Sequence, residues 1–341
     1  RQPEPIPLVD LFAKIAAPPY GVLAGLHPVL LCAFMLAFPD ETTLYREGTF
    51  LPEPGIADFE VLMRRPDLFA VAGSRIVGER AVVVQRLAKG LKVRAATVSV
   101  VRALFGQVKR LPEFAWNTRR LPDTTQALRE SFRSAKSPEQ FLFVLLPEAL
   151  GLPAFSEQRP QQCEVDRFFD ALNDNLRRWA EASPQAISGA RDALLEACGL
   201  SVGEAAWTEL RHLAVNLEPF ISEPQLLAFV QRVARSGANP TGIESVLALV
   251  ATRPPQSWHD SDVERFPAAA TAVGRAFRGA VRAARLGGGA EEPLPSLTPL
   301  ERKQADELAQ RMRDYLKRTG EEATPRAIRA AMMRLIQELE S

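Results

Sequence analysis

Along most of this chain, apolar residues recur three and four positions apart, the spacing that puts them on one face of a helix. Residues 6–16 place Leu8, Leu11, Phe12 and Ile15 on such a face, and Pro18-Pro19 must end that helix. An almost unbroken apolar run follows from Val29 to Phe38, with Pro28 suited to a first turn and Pro39-Asp40 closing it. This run predicts a buried helix. Two strand-like pieces, 42–46 and 49–51, turn at Glu47-Gly48. A helix over 56–65 and an apolar strand over 68–71 complete the group. A helix, a hairpin, a helix and a strand in close succession predict a small winged-helix-type module over residues 1–78.

Beyond it the pattern predicts helices over 79–91, 95–111, 125–136 and from Ser137-Pro138-Glu139 to about Leu150-Gly151. Residues 112–121 form an aromatic and basic connector. A proline- and glutamine-containing stretch, 152–163, marks a boundary. Helices are then expected over 164–181, 183–198, 201–216, 222–236 and 241–252. Several open on Ser or Pro start signals, among them Ser183-Pro184 and Ser222-Glu223-Pro224. Arg253-Pro254-Pro255 breaks the array before a long helix over 263–286. Gly287-Gly288-Gly289 ends that helix, and 290–299 read as a linker. Amphipathic helices over 298–315 and 324–339 close the chain. The expected organisation is therefore a module (1–78), a basic helical segment (79–151), a helical array (152–252), a long helix with its lead-in (253–289) and a C-terminal helical pair (290–341). The fold class is mainly α.

Composition changes little in this picture, but charge does. The 341 residues carry a formal net charge of +1. Residues 86–136, however, hold 12 basic and 3 acidic side chains, and 137–231 hold 6 and 14. A basic block beside an acidic one implies either an anion-binding face or two segments that pair. Lys89, Lys92, Arg94, Arg102, Lys109, Arg110, Arg119, Arg120, Arg129, Arg133 and Lys136 make up the basic block, with Phe114 and Trp116 interleaved. Cations beside aromatics suit phosphate neutralisation with base stacking. Lys109, Arg110, Arg119 and Arg120 are the candidate phosphate contacts and Trp116 the candidate stacking platform. The competing reading has this face paired with acidic helices of 164–223 or simply solvated.

Other chemistry finds no support in the sequence. His27, His212 and His259 lack Cys or His neighbours at ligand spacing, so no metal is expected, and His27 is better read as packing or capping the apolar helix. There is no G-x-S-x-G elbow and no phosphate loop, so no catalytic residue and no cofactor are expected. Asp260, Asp262 and Glu264 read as helix-capping carboxylates, outweighing a cation site. Cys32, Cys163 and Cys198 follow no disulfide spacing, which points to a reducing compartment and a cytoplasmic protein. The longest apolar run is too short to span a bilayer, and no signal peptide is visible, so no membrane partner is expected. An opening Arg1 in place of Met is what a fragment excised from a larger protein would show.

Several strings taken together carry a resemblance. They are Ala17-Pro18-Pro19-Tyr20-Gly21 with Leu44-Tyr45-Arg46-Glu47-Gly48-Thr49-Phe50; Leu111-Pro112 with Thr118-Arg119-Arg120-Leu121; Phe141-Leu142-Phe143 with Leu146-Pro147-Glu148-Ala149-Leu150-Gly151; and Pro254-Pro255 with Trp258-His259-Asp260-Ser261-Asp262. The chain thereby resembles the C-terminal, mostly helical half of large bacterial P-loop ATPases of phage-defence islands, such as BREX-type systems. The resemblance implies a winged-helix-like module and a helical array following an ATPase core. It also implies a role in an anti-phage defence complex that engages DNA, with other subunits or an ATPase module as partners. The nucleotide-binding motifs of that family are absent here, so no catalytic residue carries over. The leading expectation is a non-catalytic, DNA-engaging and partner-docking region. The alternative is a purely protein-protein interaction scaffold, its basic block docked on acidic helices of its own or of a partner.

Overall fold

In the computed structural model, residues 4–73, 80–155, 160–286 and Arg311 are described. The chain is mainly α-helical, with a small four-stranded sheet near the N-terminus followed by a helix array. It forms two compact units, Arg1–Ala182 and Ser183–Ser341.

The first unit begins with β1 (Ile6–Pro7), α1 (Leu8–Ala16), α2 (His27–Ala37), β2 (Thr42–Arg46), β3 (Thr49–Leu51), α3 (Ile56–Arg64) and β4 (Phe69–Gly73). Helix, hairpin, helix and strand thus follow in the expected order. Glu47 and Gly48 both take positive φ, 51° and 79°, as a two-residue hairpin turn requires. The strands lie in the order β1-β4-β2-β3, all neighbours antiparallel. Alternate residues of a strand point to opposite faces, so the sheet separates two cores. Leu44, Phe69 and Val71 face one way and pack with Leu8, Leu31 and Leu62. Tyr45, Phe50 and Ala72 face the other way and join the helices that follow.

One expectation for this module is overturned. The apolar helix α2 is not buried. Only His27 and Leu31 are covered, while Val29, Leu30, Phe34 and Leu36 lie open to solvent. His27 behaves as expected: its Nε2–H donates to the Val22 carbonyl at 2.9 Å and its ring rests 5.0 Å from that of Phe12.

The rest of the unit is helical: α4 (Ala81–Leu91), α5 (Thr97–Val108), α6 (Glu113–Asn117), α7 (Asp123–Ser134), α8 (Pro138–Gln140) and α9 (Leu146–Ala149), the last two joined by a π-helical turn over Phe141–Leu145. Pro122 occupies the N-cap of α7, with Asp123 in its first turn. Ser137 does cap α8, accepting from the Gln140 N–H. At the centre, Phe132 meets Phe105, Phe141 and Trp179 with centroids 5.0, 4.8 and 5.6 Å away. Offset and edge-on aromatic contacts of this kind add about 0.5–1.5 kcal/mol each beyond area burial.

Helix α10 (Gln162–Ala197) is a second departure. Ser183-Pro184 was expected to open a new helix, but Pro184 lies inside one continuous helix. Proline there removes one rung of the hydrogen-bond ladder. Trp179 and Ser183, both just N-terminal to Pro184, are buried.

The second unit takes the later part of α10 together with α11 (Glu204–Leu217), α12 (Pro224–Arg235), α13 (Pro240–Ala251) and α14 (Asp260–Leu286). Glu223 caps α12, accepting from Gln225 and Leu226 N–H groups at 2.9 and 2.6 Å. Asn239 caps α13 through the Gly242 N–H at 2.7 Å. Asp262 accepts from the His259 N–H at 2.8 Å, the capping role expected of it. Phe229 and Phe277 meet edge-on, 6.0 Å apart, between α12 and α14. The expected linker and C-terminal helices over 290–341 lie outside the described residues, Arg311 apart.

Candidate nucleic-acid interface

The basic segment enters the structure on α5 and the turns around it. Positions 99, 102, 103, 106 and 110 fall three or four apart, so they form one stripe along and just beyond α5. That stripe floors an open groove of about 510 Å³, lined by Arg94, Ser99, Arg102, Gly106 and Arg110 on one side and by Asp40 and Glu53 of the N-terminal module on the other. Small residues give the floor its depth. A Cβ on Gly106 would stand 3.3 Å from Glu53 Oε1, a tight contact that the carboxylate would relieve by shifting a few tenths of an ångström.

Each cation in the groove has a definite setting. Arg102 donates from Nε to Pro52 O at 3.0 Å and from Nη2 to Pro39 O at 3.3 Å, which fixes its guanidinium against the wall. Arg94, largely exposed, pairs with Asp40 at 3.0 Å. Lys109 pairs with Glu53 at 3.2 Å. Exposed pairs like these are worth roughly 0.2–1 kcal/mol each, so an incoming anion can exchange for either carboxylate. Ser99 Oγ–H also donates to Asp40 Oδ1. This hydroxyl first, and then Arg94, hold the Asp40 carboxyl below the usual carboxylate range. Through this hydrogen bond the Ser99–Asp40 pair ties α5 to the N-terminal module at the groove wall.

The five candidate residues are distributed unevenly. Arg110 lines the groove and Lys109 stands beside it in its ion pair. Arg119 and Arg120 lie exposed on the connector between α6 and α7, where the Arg119 carbonyl accepts from Gln126 Nε2 at 3.1 Å. Trp116 is half-buried and already engaged. Its Nε1–H donates to Val108 O at 3.3 Å, its ring meets that of Trp179, and Arg133 lies over it at 5.7 Å. Among the other basic residues, Arg129 is buried and donates to Ala115 O and Thr118 O at 3.3 and 2.6 Å, a purely structural use. The cross-segment pairs of this block include Arg94 with Asp40, Lys109 with Glu53, and Arg86 with Asp166 at 2.9 Å, the last reaching the acidic stretch 164–223.

Sequence reasoning missed Asp40, Glu53, Ser99 and Gly106. No local signal marks them, because Asp40 and Glu53 lie 54 and 56 positions from their basic partners. Among the described residues no cluster of His, Cys, Asp or Glu is placed to hold a metal ion. No described helix is long and apolar enough to cross a membrane. No protein-family model, no curated protein and no solved structure matches this chain.

Proposed function

We propose that this chain is a non-catalytic region that engages the phosphate backbone of DNA and docks to partner subunits, as its resemblance to bacterial anti-phage defence ATPases implies. The observation that carries the reading is the arginine-lined groove along α5. A phosphodiester entering it meets Arg102 and Arg110 directly. It then competes with Asp40 and Glu53 for Arg94 and Lys109, two exchanges that cost little at an exposed surface. Arg119 and Arg120 extend the contact along the strand. These groups contact phosphate and not base edges, so binding is indifferent to sequence.

The test is fluorescence anisotropy with labelled duplex and single-stranded DNA over a salt series. Six neutralised phosphates, one for each cation named, give a log–log salt slope of about −4 to −5. The double variant Arg94→Glu with Arg110→Glu is expected to weaken binding at least tenfold for every sequence and to make the slope shallower by about 2. Absence of binding at low salt, or an unchanged slope in the variant, overturns the proposal.

A second reading has its own observation. Arg94–Asp40, Lys109–Glu53 and Arg86–Asp166 spend basic charge on acidic groups of the same chain. A protein scaffold whose basic block holds its own segments together would show these pairs and bind no DNA. The same anisotropy series separates the two.

A further inference from the structure

The exposed face of α2 is independent of the groove and calls for a different occupant. At 100° per residue, Leu36, Val29, Ala33, Ala37, Leu30 and Phe34 follow one another around a continuous arc of about 160°. Every one of them is open to solvent, Leu36 at 81 % and Val29 at 61 %. The opposite side of α2 is seated on the N-terminal core through Leu31. Tyr20, Leu23, Leu26 and Phe38 extend the exposed surface at its two ends. Together these large side chains expose on the order of 1,000 Å², against about 800 Å² per partner in an ordinary stable interface. Isolated exposed apolar residues need no explanation, but a contiguous patch of this size does.

Charge selects the occupant. From Ile15 to Pro39 there is no Asp, Glu, Lys or Arg. A face with no charge cannot select an unlike partner by electrostatic complementarity. It is, however, complementary to itself. In a two-fold contact the same patch meets itself and no like charges are brought together. With the two-fold axis perpendicular to α2 the two helices run antiparallel, the arrangement in which their macrodipoles attract. Ala33 and Ala37 lie on the midline of the face, with Val29 and Leu36 on one flank and Leu30 and Phe34 on the other. Small midline residues let two helices approach while the larger flanks interlock, as ridges pack into grooves. An interfacial lipid-binding helix would instead carry Lys or Arg along a polar face, and α2 has neither.

We propose that α2 is a dimerisation face, through which two copies of this chain pair about a two-fold axis near Ala33. The full chain is expected to sediment at twice its monomer mass across a concentration series. Ala33→Glu places two carboxylates at the axis and is expected to halve that mass while leaving the circular dichroism spectrum unchanged, because residue 33 is exposed. Leu36→Glu serves as the second variant with the same expected outcome. Mild oxidation of Ala33→Cys, in a chain that also carries Cys32→Ser and Cys163→Ser, is expected to give a covalently linked dimer. A wild-type chain that stays monomeric at every concentration overturns the proposal. So does an Ala33→Glu chain that remains dimeric, or a wild-type chain recovered on neutral phospholipid vesicles and not as a dimer.

Discussion

The indole of Trp116 meets the indole of Trp179 edge-on, their centroids 4.7 Å apart. Trp179 Nε1–H reaches the Ala115 carbonyl at 2.9 Å, so the same pair also ties α6 to α10. Trp116→Ala removes this contact together with the bond to Val108 O. Its expected cost is about 2–4 kcal/mol, seen as a lower urea midpoint. Trp116→Leu keeps part of the packing and removes the aromatic face; since the indole is already engaged by Trp179 and Val108 O, its DNA anisotropy curve is expected to overlay that of the wild type. A tenfold loss of affinity in a folded Trp116→Leu chain would support the indole as a stacking surface.

Gly274 on α14 lies against the end of α10. A Cβ there would stand 2.3 Å from Ala197 O and 2.8 Å from Ala197 Cβ. Backbone cannot give way as a side-chain tip does, so Gly274→Ala is expected to lower stability by about 1–3 kcal/mol through overpacking. Gly279, in the same helix, has open space where its Cβ would be. Gly279→Ala is expected to raise stability by about 0.5–1 kcal/mol through helix propensity. Thermal melts of the two variants should therefore move in opposite directions.

Acid should weaken the first unit through Asp40. Its carboxyl is held below the usual range by the Ser99 hydroxyl and then by Arg94. A folded-state pKa below the unfolded value of about 3.9 makes a contribution that is fully present above pH 4. That contribution is lost as pH falls through the folded-state value. Asp166, whose main cause is Arg86, and Asp262, whose main cause is the His259 N–H, shift the same way. The urea midpoint is expected to drop below about pH 4, and Asp40→Asn should be less stable at pH 7 with a flatter acid limb. A midpoint that rises on acidification contradicts the assignment.

The three thiols should react in order of exposure. Burial pushes the Cys198 thiol up to about 12, against a smaller opposing effect of Arg278. Cys163 is exposed and Cys32 half-buried. Since the thiolate is the reactive form, an aromatic disulfide reagent at mild alkaline pH should label Cys163 first. Cys198 should react only once denaturant is added, and rapid labelling of Cys198 in the native chain would show that its helix opens freely.

How far the sequence speaks depends on how local each cause is. Helix α12 was legible because it carries its own start signal, Glu223-Pro224, whose cap acts within three residues. Glu47-Gly48 was legible as a turn for the same reason. The helix α2 was legible as a helix but not in its burial. An apolar run records that a surface avoids water, and not whether this chain or another supplies the cover. Pro184 misled because proline suits a first turn, yet here it sits inside α10. The groove was only half legible. Its cations stand in one basic stretch, but the carboxylates that set their geometry belong to the N-terminal module and arrive by tertiary folding alone.

The two ends of the small sheet have a consequence for the protein at high concentration. On one side β1 is two residues long and ends in Pro7, which has no N–H to offer a newcomer. On the other, the outward N–H of Phe50 in β3 is already taken by the Lys136 carbonyl at 3.2 Å. Open strand edges are the usual templates for runaway strand addition and fibril growth. Here both are stopped within the fold, so copies of this chain that meet cannot zip into an endless ribbon.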